Sequence, residues 1–369
     1  MKFTMQREAL LQPLTQVVGV VERRQTLPIL ANIKMQAADG VLTCTATDME
    51  IELSAQYECN VEIPGEVTAP ARKLADICRA LPDGSSIVFS VQDSQVHIHT
   101  EHSHFSLSTL PADEFPEMDY QEDFKRLKLP RNQLRHLLDQ TSFAMANQDV
   151  RYFLNGLLLE LREEGLRAVA TDGHRMAMAD LNGVNSENVT DQPTQVIAPR
   201  KGILELQRLL QDDDTEVSLG IGTNHFQVQM PGLVMTSKLI DGRFPDYAAV
   251  IPPANDMSIL IDRAQLRASL QRAAILSNEK FRGVRLEFNT GRIKIIAHNP
   301  QQEEAVEELN AEHTVDGLSI GFNVNYLLDA LSALTTDNAE MKLRDANSSC
   351  LITEPSSEQS CHVVMPLKL

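Results

Sequence analysis

The sequence predicts an α+β chain built as three tandem copies of one unit, and three observations carry that expectation. The segments 29–48 (ILANIKMQAADGVLTCTATD), 152–172 (YFLNGLLLELREEGLRAVATD) and 281–299 (FRGVRLEFNTGRIKIIAHN) each read as an alternating strand, a glycine turn at Gly40, Gly165 or Gly291, a second alternating strand, and a polar turn residue at Asp48, Asp172 or Asn299. The glycines stand 125 and 126 residues apart, the regular spacing of a repeat. Half a unit later, 67–91 (VTAPARKLADICRALPDGSSIVFSV) matches 196–221 (VIAPRKGILELQRLLQDDDTEVSLGI), with a looser echo at 320–345. The leucine pairs Leu10/Leu14, Leu134/Leu138 and Leu266/Leu270 recur near the start of each unit at i, i+4, which sets both members on one helical face.

Each unit of about 123 residues therefore reads as strand, helix and several short alternating strands, twice over: roughly two helices and eight strands. The expected boundaries are 1–124, 125–253 and 254–369. Helices are expected over 7–24, 72–80, 131–146, 200–211, 263–276 and 325–334. A helix with one apolar stripe lays that stripe on a sheet and turns its other face to solvent. The first two units even close alike, on LSTLPADEFPEM (107–118) and TSKLIDGRFPDY (236–247).

The composition, 369 residues at 43% hydrophobic, supports a buried core rather than disorder. There is no run of eighteen apolar residues, and the opening MKFTMQREALLQPL lacks the apolar core of a signal peptide, so a cytoplasmic chain with no membrane contact is expected. The five cysteines, Cys44, Cys59, Cys78, Cys350 and Cys361, contain no C-x-x-C pair and read as free thiols.

A net charge of −18 counts against a nucleic-acid partner if spread evenly. It is not spread evenly. The six expected helices carry fourteen basic and six acidic side chains, near +8, which leaves the rest of the chain near −26. With the helices on the concave side of an arc, such a surface attracts a polyanion on one side and repels it on the other. Few aromatics, 5% with no tryptophan, and no recognition helix or zinc finger point to sequence-independent phosphate contacts.

Three short stretches invite a chemical reading. ATDGHRM (170–176) sets an acid, an imidazole and an arginine together, but Asp172 recurs as Asp48 and Asn299, and Asp/Asn-Gly after a strand is turn chemistry. A hydrolase using Asp172 and His174 is the enzymatic alternative; no metal or Ser/His/Asp arrangement accompanies them. HIHTEHSHF (97–105) pairs His97 with His99 and His102 with His104, without a third ligand, so no metal site is expected. QDDDTE (211–216) reads as a solvated loop, and no phosphate-binding G-x-x-x-x-G-K-[ST] occurs, so neither cofactor nor nucleotide hydrolysis is expected.

NQDVRYFLNG (147–156), ATDGHRM, SKLIDGRFPDY (237–247), AAILSNEKFRGVRL (273–286), GFNVNY (321–326) and the terminal VVMPLKL (363–369) carry a resemblance over the whole length to the bacterial DNA polymerase III beta-subunit family, the replicative sliding clamps. The resemblance implies three DNA-clamp domains, helices lining an inner face with antiparallel sheets outside, and a head-to-tail homodimer ring on double-stranded DNA. It implies loading by a clamp loader and tethering of replicative and translesion polymerases and repair proteins through short peptides. Their groove would be formed by Leu154, Thr171, Gly173, His174, Arg175, Met176, Pro245, Val250, Val363 and Met365. A second subsite would add Arg151, Tyr152, Asn323, Tyr326, Ser349, Pro366 and Leu367. Aliphatic side chains would bury leucine and phenylalanine of the peptide while His174 and Arg175 hydrogen-bond its backbone or a glutamine. Ala248-Ala249 stands where the family tends to carry arginines, and Asn347 where an aliphatic residue is common.

The resemblance carries DNA contact to Arg24, Arg72, Gln148, Tyr152, Phe153 and Lys201. It puts Lys73, Phe105 and Leu107 at the dimer seam, facing Ile275 and Leu276 of the partner, and sets His102 and His104 against the partner's acidic run at Glu303, Glu304 and Glu307. Family members carry arginines at those two positions, so here mild acid would tighten the seam by protonating imidazoles against carboxylates. A tandem-repeat scaffold that binds proteins without encircling DNA is the non-enzymatic alternative.

Overall fold

The computed structural model describes residues 1–21, 27–119, 122–186, 193–252 and 257–368. Six α-helices stand among them where the periodicity places them: α1 Arg7–Val17, α2 Ala71–Ala80, α3 Arg131–Asp139, α4 Arg200–Leu209, α5 Arg263–Ala274 and α6 Val324–Ala333. Four are shorter than expected, α1 and α3 markedly so. α1 gives way at Val18 to a tight 3₁₀ turn. α3 stops because the Thr141 hydroxyl donates to the Leu137 carbonyl at 2.8 Å, taking an acceptor from the helix, and a 3₁₀ turn follows at Ser142–Ala144. Leu10, Leu14, Leu134, Leu138, Leu266 and Leu270 are all at most 1% exposed. Truncating any of them to alanine costs about 2–5 kcal/mol, so these pairs anchor the helices.

The described chain forms two compact units. The first, Met1–Arg131 with Leu204–Leu239, holds a five-stranded sheet in the order Asn60–Ile63, Lys2–Gln6, Ser86–Gln92, Gln95–His99, His104–Ser108, and most of a nine-stranded sheet. α1 and α2 pack together there. The second unit holds an eight-stranded sheet and a four-stranded one in the order Glu304–Asn310, Arg292–His298, Gly283–Asn289, Leu318–Asn323, with α5 and α6 packed together.

One joint occurs twice. In the first unit, Ile51–Glu58, the strand after the Asp48 turn, pairs antiparallel with Leu233–Lys238, the last strand of the second repeat. In the second unit, Arg175–Asn182, the strand after the Asp172 turn, pairs antiparallel with Ser360–Val364, the last strand of the third repeat. The corresponding strand after the Asn299 turn, Glu304–Asn310, is left at a sheet edge, and so is the last strand of the first repeat, His104–Ser108.

A second device recurs three times. The amides of Arg7, Arg131 and Arg263 donate to the carbonyls of Ser85, Thr215 and Asp337, stitching the first helix of each repeat to the loop after its second helix. The side chains reinforce this. Arg7 reaches the Cys78 carbonyl at 2.8 Å and Asp83 at 2.7 Å, Arg131 grips Asp213 through two bonds at 3.0 and 2.7 Å, and Arg263 reaches the Leu334 carbonyl at 2.5 Å. QDDDTE is thus not simply a solvated loop: Asp213 is held by Arg131 and also caps the Thr215 amide.

Candidate partner-binding groove

The hairpin at Thr171–Arg175 is a turn built by side chains. Asp172 Oδ1 accepts from the amides of His174 at 2.8 Å and Arg175 at 3.0 Å, while Thr171 Oγ1 donates to the Arg175 carbonyl and accepts from the Gly173 amide. Gly173 sits at φ 87°, where a side chain is strained. The first repeat reproduces the same bonds. Asp48 Oδ1 accepts from Glu50 and Ile51, and Thr47 serves Ile51 and Met49; in the third, Asn299 Oδ1 accepts from Gln301 and Glu303. A carboxylate occupied by two amides and repeated as an asparagine is folding chemistry, not a general base.

Arg175 ties this hairpin to its surroundings. Its Nε donates to Asp172 Oδ2 at 3.1 Å, one terminal nitrogen to Asp329 Oδ2 at 2.5 Å and the other to the Phe143 carbonyl at 2.6 Å. The guanidinium also lies 4.5 Å over the Tyr326 ring and 5.4 Å over Phe143. Arg151 is held comparably: it grips Asp149 through two bonds at 3.0 and 2.8 Å and reaches the Asp172 carbonyl at 3.1 Å. The Asn155 side chain pins the Asp149 backbone from both sides, accepting its N–H and donating to its carbonyl, so the loop 147–156 is fixed. The Arg151 guanidinium keeps the Asp149 carboxyl well below its ordinary range, at about 2.

The C-terminal segment completes the surface. Beyond Ser360–Val364 the Met365 amide donates to the His174 carbonyl at 3.0 Å and the Leu367 amide to the Gly321 carbonyl at 2.7 Å. Met176 and Val363 share an apolar cluster with Leu158, Phe244 and Cys361, against which Phe153, Val250 and Ile251 pack half-buried. A cavity of about 680 Å³ is lined by Ser349, Met365, Pro366 and Leu367 together with Arg285, Gly321 and Asn347.

Three family models together match nearly the whole chain: "DNA polymerase III beta subunit, N-terminal domain" at residues 1–119, "central domain" at 128–246 and "C-terminal domain" at 248–368. The chain belongs to the DNA polymerase III beta-subunit family. A beta sliding clamp of Pseudomonas aeruginosa is 48% identical and one of Escherichia coli 45% identical, each covering all of both chains. The crystal structure of the DNA polymerase III subunit beta from P. aeruginosa superposes with a TM-score of 0.95 over the full length of both chains at 48% identity. The sliding-clamp reading of the sequence and its three tandem clamp domains therefore stand.

Within this family's frame, the expected groove residues fall into three groups. Met176, Val363 and Val250 meet in the apolar cluster, with Leu154 buried in the neighbouring loop and Pro245 exposed. Ser349, Met365, Pro366 and Leu367 line the cavity. Arg175 and Tyr326 stack, while Asn323 caps α6 by accepting from the Asn325 amide. Arg175 has three of its N–H groups committed to the protein, so it braces the surface more than it offers bonds to a ligand, whereas His174 is exposed. Phe143, Asp149 and Asp329, which fix the two arginines, were not legible as site residues; Asp329 stood in the sequence as the lone charge of α6.

Of the expected DNA contacts, Arg24 lies outside the described residues. Arg72, Gln148 and Tyr152 are exposed, and Phe153 and Lys201 half-buried. Arg72 also donates to the Val21 carbonyl at 2.6 Å. The charge of the helices is partly spent internally: Arg7, Arg79, Arg131, Arg135, Arg208 and Arg272 each pair with a carboxylate of the same chain, and α6 carries no basic side chain. The exposed bases Arg72 and Lys73 on α2 and Arg267 on α5 have no such partner among the described residues.

At the expected seam, Phe105 and Leu107 are half-buried on the edge strand and Ile275 is 76% exposed. The histidine pairing is corrected. Thr100 and Ser103 close a turn, so His104 begins the next strand directly opposite His99, and it joins His97 and His99, leaving His102 outside near Glu101. Glu307 is bonded to Arg272 of its own chain, which holds its carboxyl below the usual range, and Glu304 lies 3.6 Å from His298.

His362, between Ala177 and Ile352 in the eight-stranded sheet, is 1% exposed, and burial lowers its pKa from 6.5 to about 4. The unfolded chain takes up this proton below about 6.5 and the folded chain does not until about 4, so stability falls as pH drops through that window. By pH 5 the loss from this group is on the order of 2 kcal/mol. Denaturant unfolding at pH 7 and pH 5 should show the His362→Leu chain losing that much less stability on acidification than the parent.

Proposed function

We propose that the chain closes head-to-tail with a second copy into a ring around duplex DNA, and that the ring tethers the replicative polymerase without chemistry of its own. The observation that supports this most directly is the repeated joint. Two of three repeats offer the strand after their polar turn to the last strand of the next repeat. Glu304–Asn310 and His104–Ser108 are the two strands left over, and a second copy supplies the missing partner for each. Such a heterologous contact makes a ring when its rotation closes, and two copies give six repeats and six joints. The acidic edge also opposes pairing with itself, which favours the head-to-tail arrangement.

Linkage to DNA is then topological, and the exposed bases Arg72, Lys73 and Arg267 need only weak, sequence-independent phosphate contacts. The groove around Met176, Val363 and Met365 takes a short hydrophobic peptide from polymerases, the clamp loader and repair proteins in the cytoplasm, its apolar floor burying leucine and phenylalanine. Loaded onto nicked circular duplex, the protein should remain bound through gel filtration at moderate salt and be released when a nuclease linearises the circle. Retention through linearisation, or no retention at all, would leave a protein-binding scaffold as the better reading.

A further inference from the structure

We infer that His97, His99 and His104 form a binding site for a single divalent transition-metal ion of the zinc, nickel or copper type, on the open face of the five-stranded sheet. Their candidate ligand nitrogens all lie within 4.8 Å of one another. His99 Nδ1 and His104 Nδ1 are 3.1 Å apart, and the His97 and His104 rings lie 5.6 Å apart, nearly parallel. Three imidazole nitrogens bound to one tetrahedral ion at about 2.0–2.1 Å stand roughly 3.4 Å from each other. The His99–His104 separation is already close to that value.

The backbone prearranges the cluster. His97 and His99 alternate onto one face of Gln95–His99, and the antiparallel register puts His104 directly opposite His99 and Ser106 directly opposite His97. Ser106 Oγ lies 3.0 Å from His97 Nδ1 and 3.2 Å from His104 Nε2, and its two lone pairs can accept from both in one choice of tautomers. That choice of tautomers frees the opposite ring nitrogens, an outer-shell bond of the kind that orients ligating histidines. None of the three imidazoles has a carboxylate partner among the described residues. A sulfur-free N₃ set with its remaining position open to water or an incoming carboxylate suits zinc, nickel or copper rather than magnesium or calcium.

The test uses the full-length, metal-stripped protein titrated calorimetrically with Zn²⁺ alone near pH 7.5, with Co²⁺ as a spectroscopic substitute. The expected result is one tight equivalent per chain. Affinity should fall at least about tenfold in His99→Gln and in His104→Gln, and stay unchanged in His102→Gln. Bound Co²⁺ should show visible bands of a four- or five-coordinate nitrogen site without thiolate charge transfer. The inference is overturned if no such equivalent binds, if His99→Gln and His104→Gln bind as the parent does, or if the Co²⁺ spectrum reports sulfur from Cys59. The three substituted residues are exposed, and a thermal melt matching the parent excludes misfolding as the cause of a loss.

Discussion

Arg175→Ala is expected to destabilise the protein by about 2–3 kcal/mol and to weaken peptide binding at least tenfold. Removing the guanidinium leaves Asp172 Oδ2, Asp329 and the Phe143 carbonyl without their donor and takes the cation off the Tyr326 ring. Breaking a fully buried pair costs roughly 3–5 kcal/mol, and the lower figure applies here because the Asp329 side chain is 44% exposed and partly screened by water. The binding loss follows from position. Arg175 is paired with Val364 next to the turn whose His174 carbonyl holds the Met365 amide, so loosening it frees both walls of the groove. A tenfold loss corresponds to about 1.4 kcal/mol, less than the stability term. Arg175→Lys should recover little, because an ammonium cannot serve three separated acceptors while lying flat on an aromatic ring. Urea unfolding gives the first quantity, and fluorescence anisotropy with a short labelled peptide carrying glutamine, leucine and phenylalanine gives the second. An Arg175→Ala chain with the parent's peptide affinity would remove Arg175 from the groove.

The arginine also shows where the sequence was legible and where it was not. Periodicity located the helices and leucine pairs, since burial of Leu10, Leu134 and Leu266 is a local consequence of spacing. Repetition and the Asp-Gly pair together identified Asp172 as a turn residue, and its hydrogen bonds, matched by those of Asp48 and Asn299, agree. Pairing across long sequence separations was invisible. Arg175 meets Asp329 across 154 residues. Arg272 meets Glu307 across 35, and such pairs mean that a sum of helix charges overstated the free positive surface. The third metal ligand was hidden by strand parity: whether His104 faces His99 or His102 depends on the length of the turn at Thr100–Ser103. The absence of any base from α6 was readable, and it limits the basic helical surface to fewer helices than the repeat suggests.

Ile275→Asp combined with Leu276→Asp is expected to yield a monomer that is lost completely from circular DNA and still binds the groove peptide. Ile275 ends α5 at 76% exposure, and Val306 on the adjoining edge strand is 47% exposed, so an aliphatic patch lies beside an unpaired strand edge. A long exposed edge invites uncontrolled pairing unless it is guarded. Glu303, Glu304 and Glu308 guard this one against another copy of itself, whereas the strand His104–Ser108 has no acidic residue and presents the half-buried Phe105 and Leu107. The proposed joint then combines backbone pairing, which gives register, with aliphatic burial, which gives affinity. Each aliphatic side chain contributes about 1.5–3 kcal/mol, and a carboxylate put in its place must be desolvated as well. Two such replacements raise the dissociation constant by at least about a thousandfold. Sedimentation equilibrium measures that shift, and retention on nicked circular duplex reports its consequence. The peptide groove, formed by residues of one unit away from this edge, should keep its affinity, which separates loss of the ring from loss of the fold. A double variant that sediments as a dimer would place the seam elsewhere and remove the leftover-strand argument for a ring.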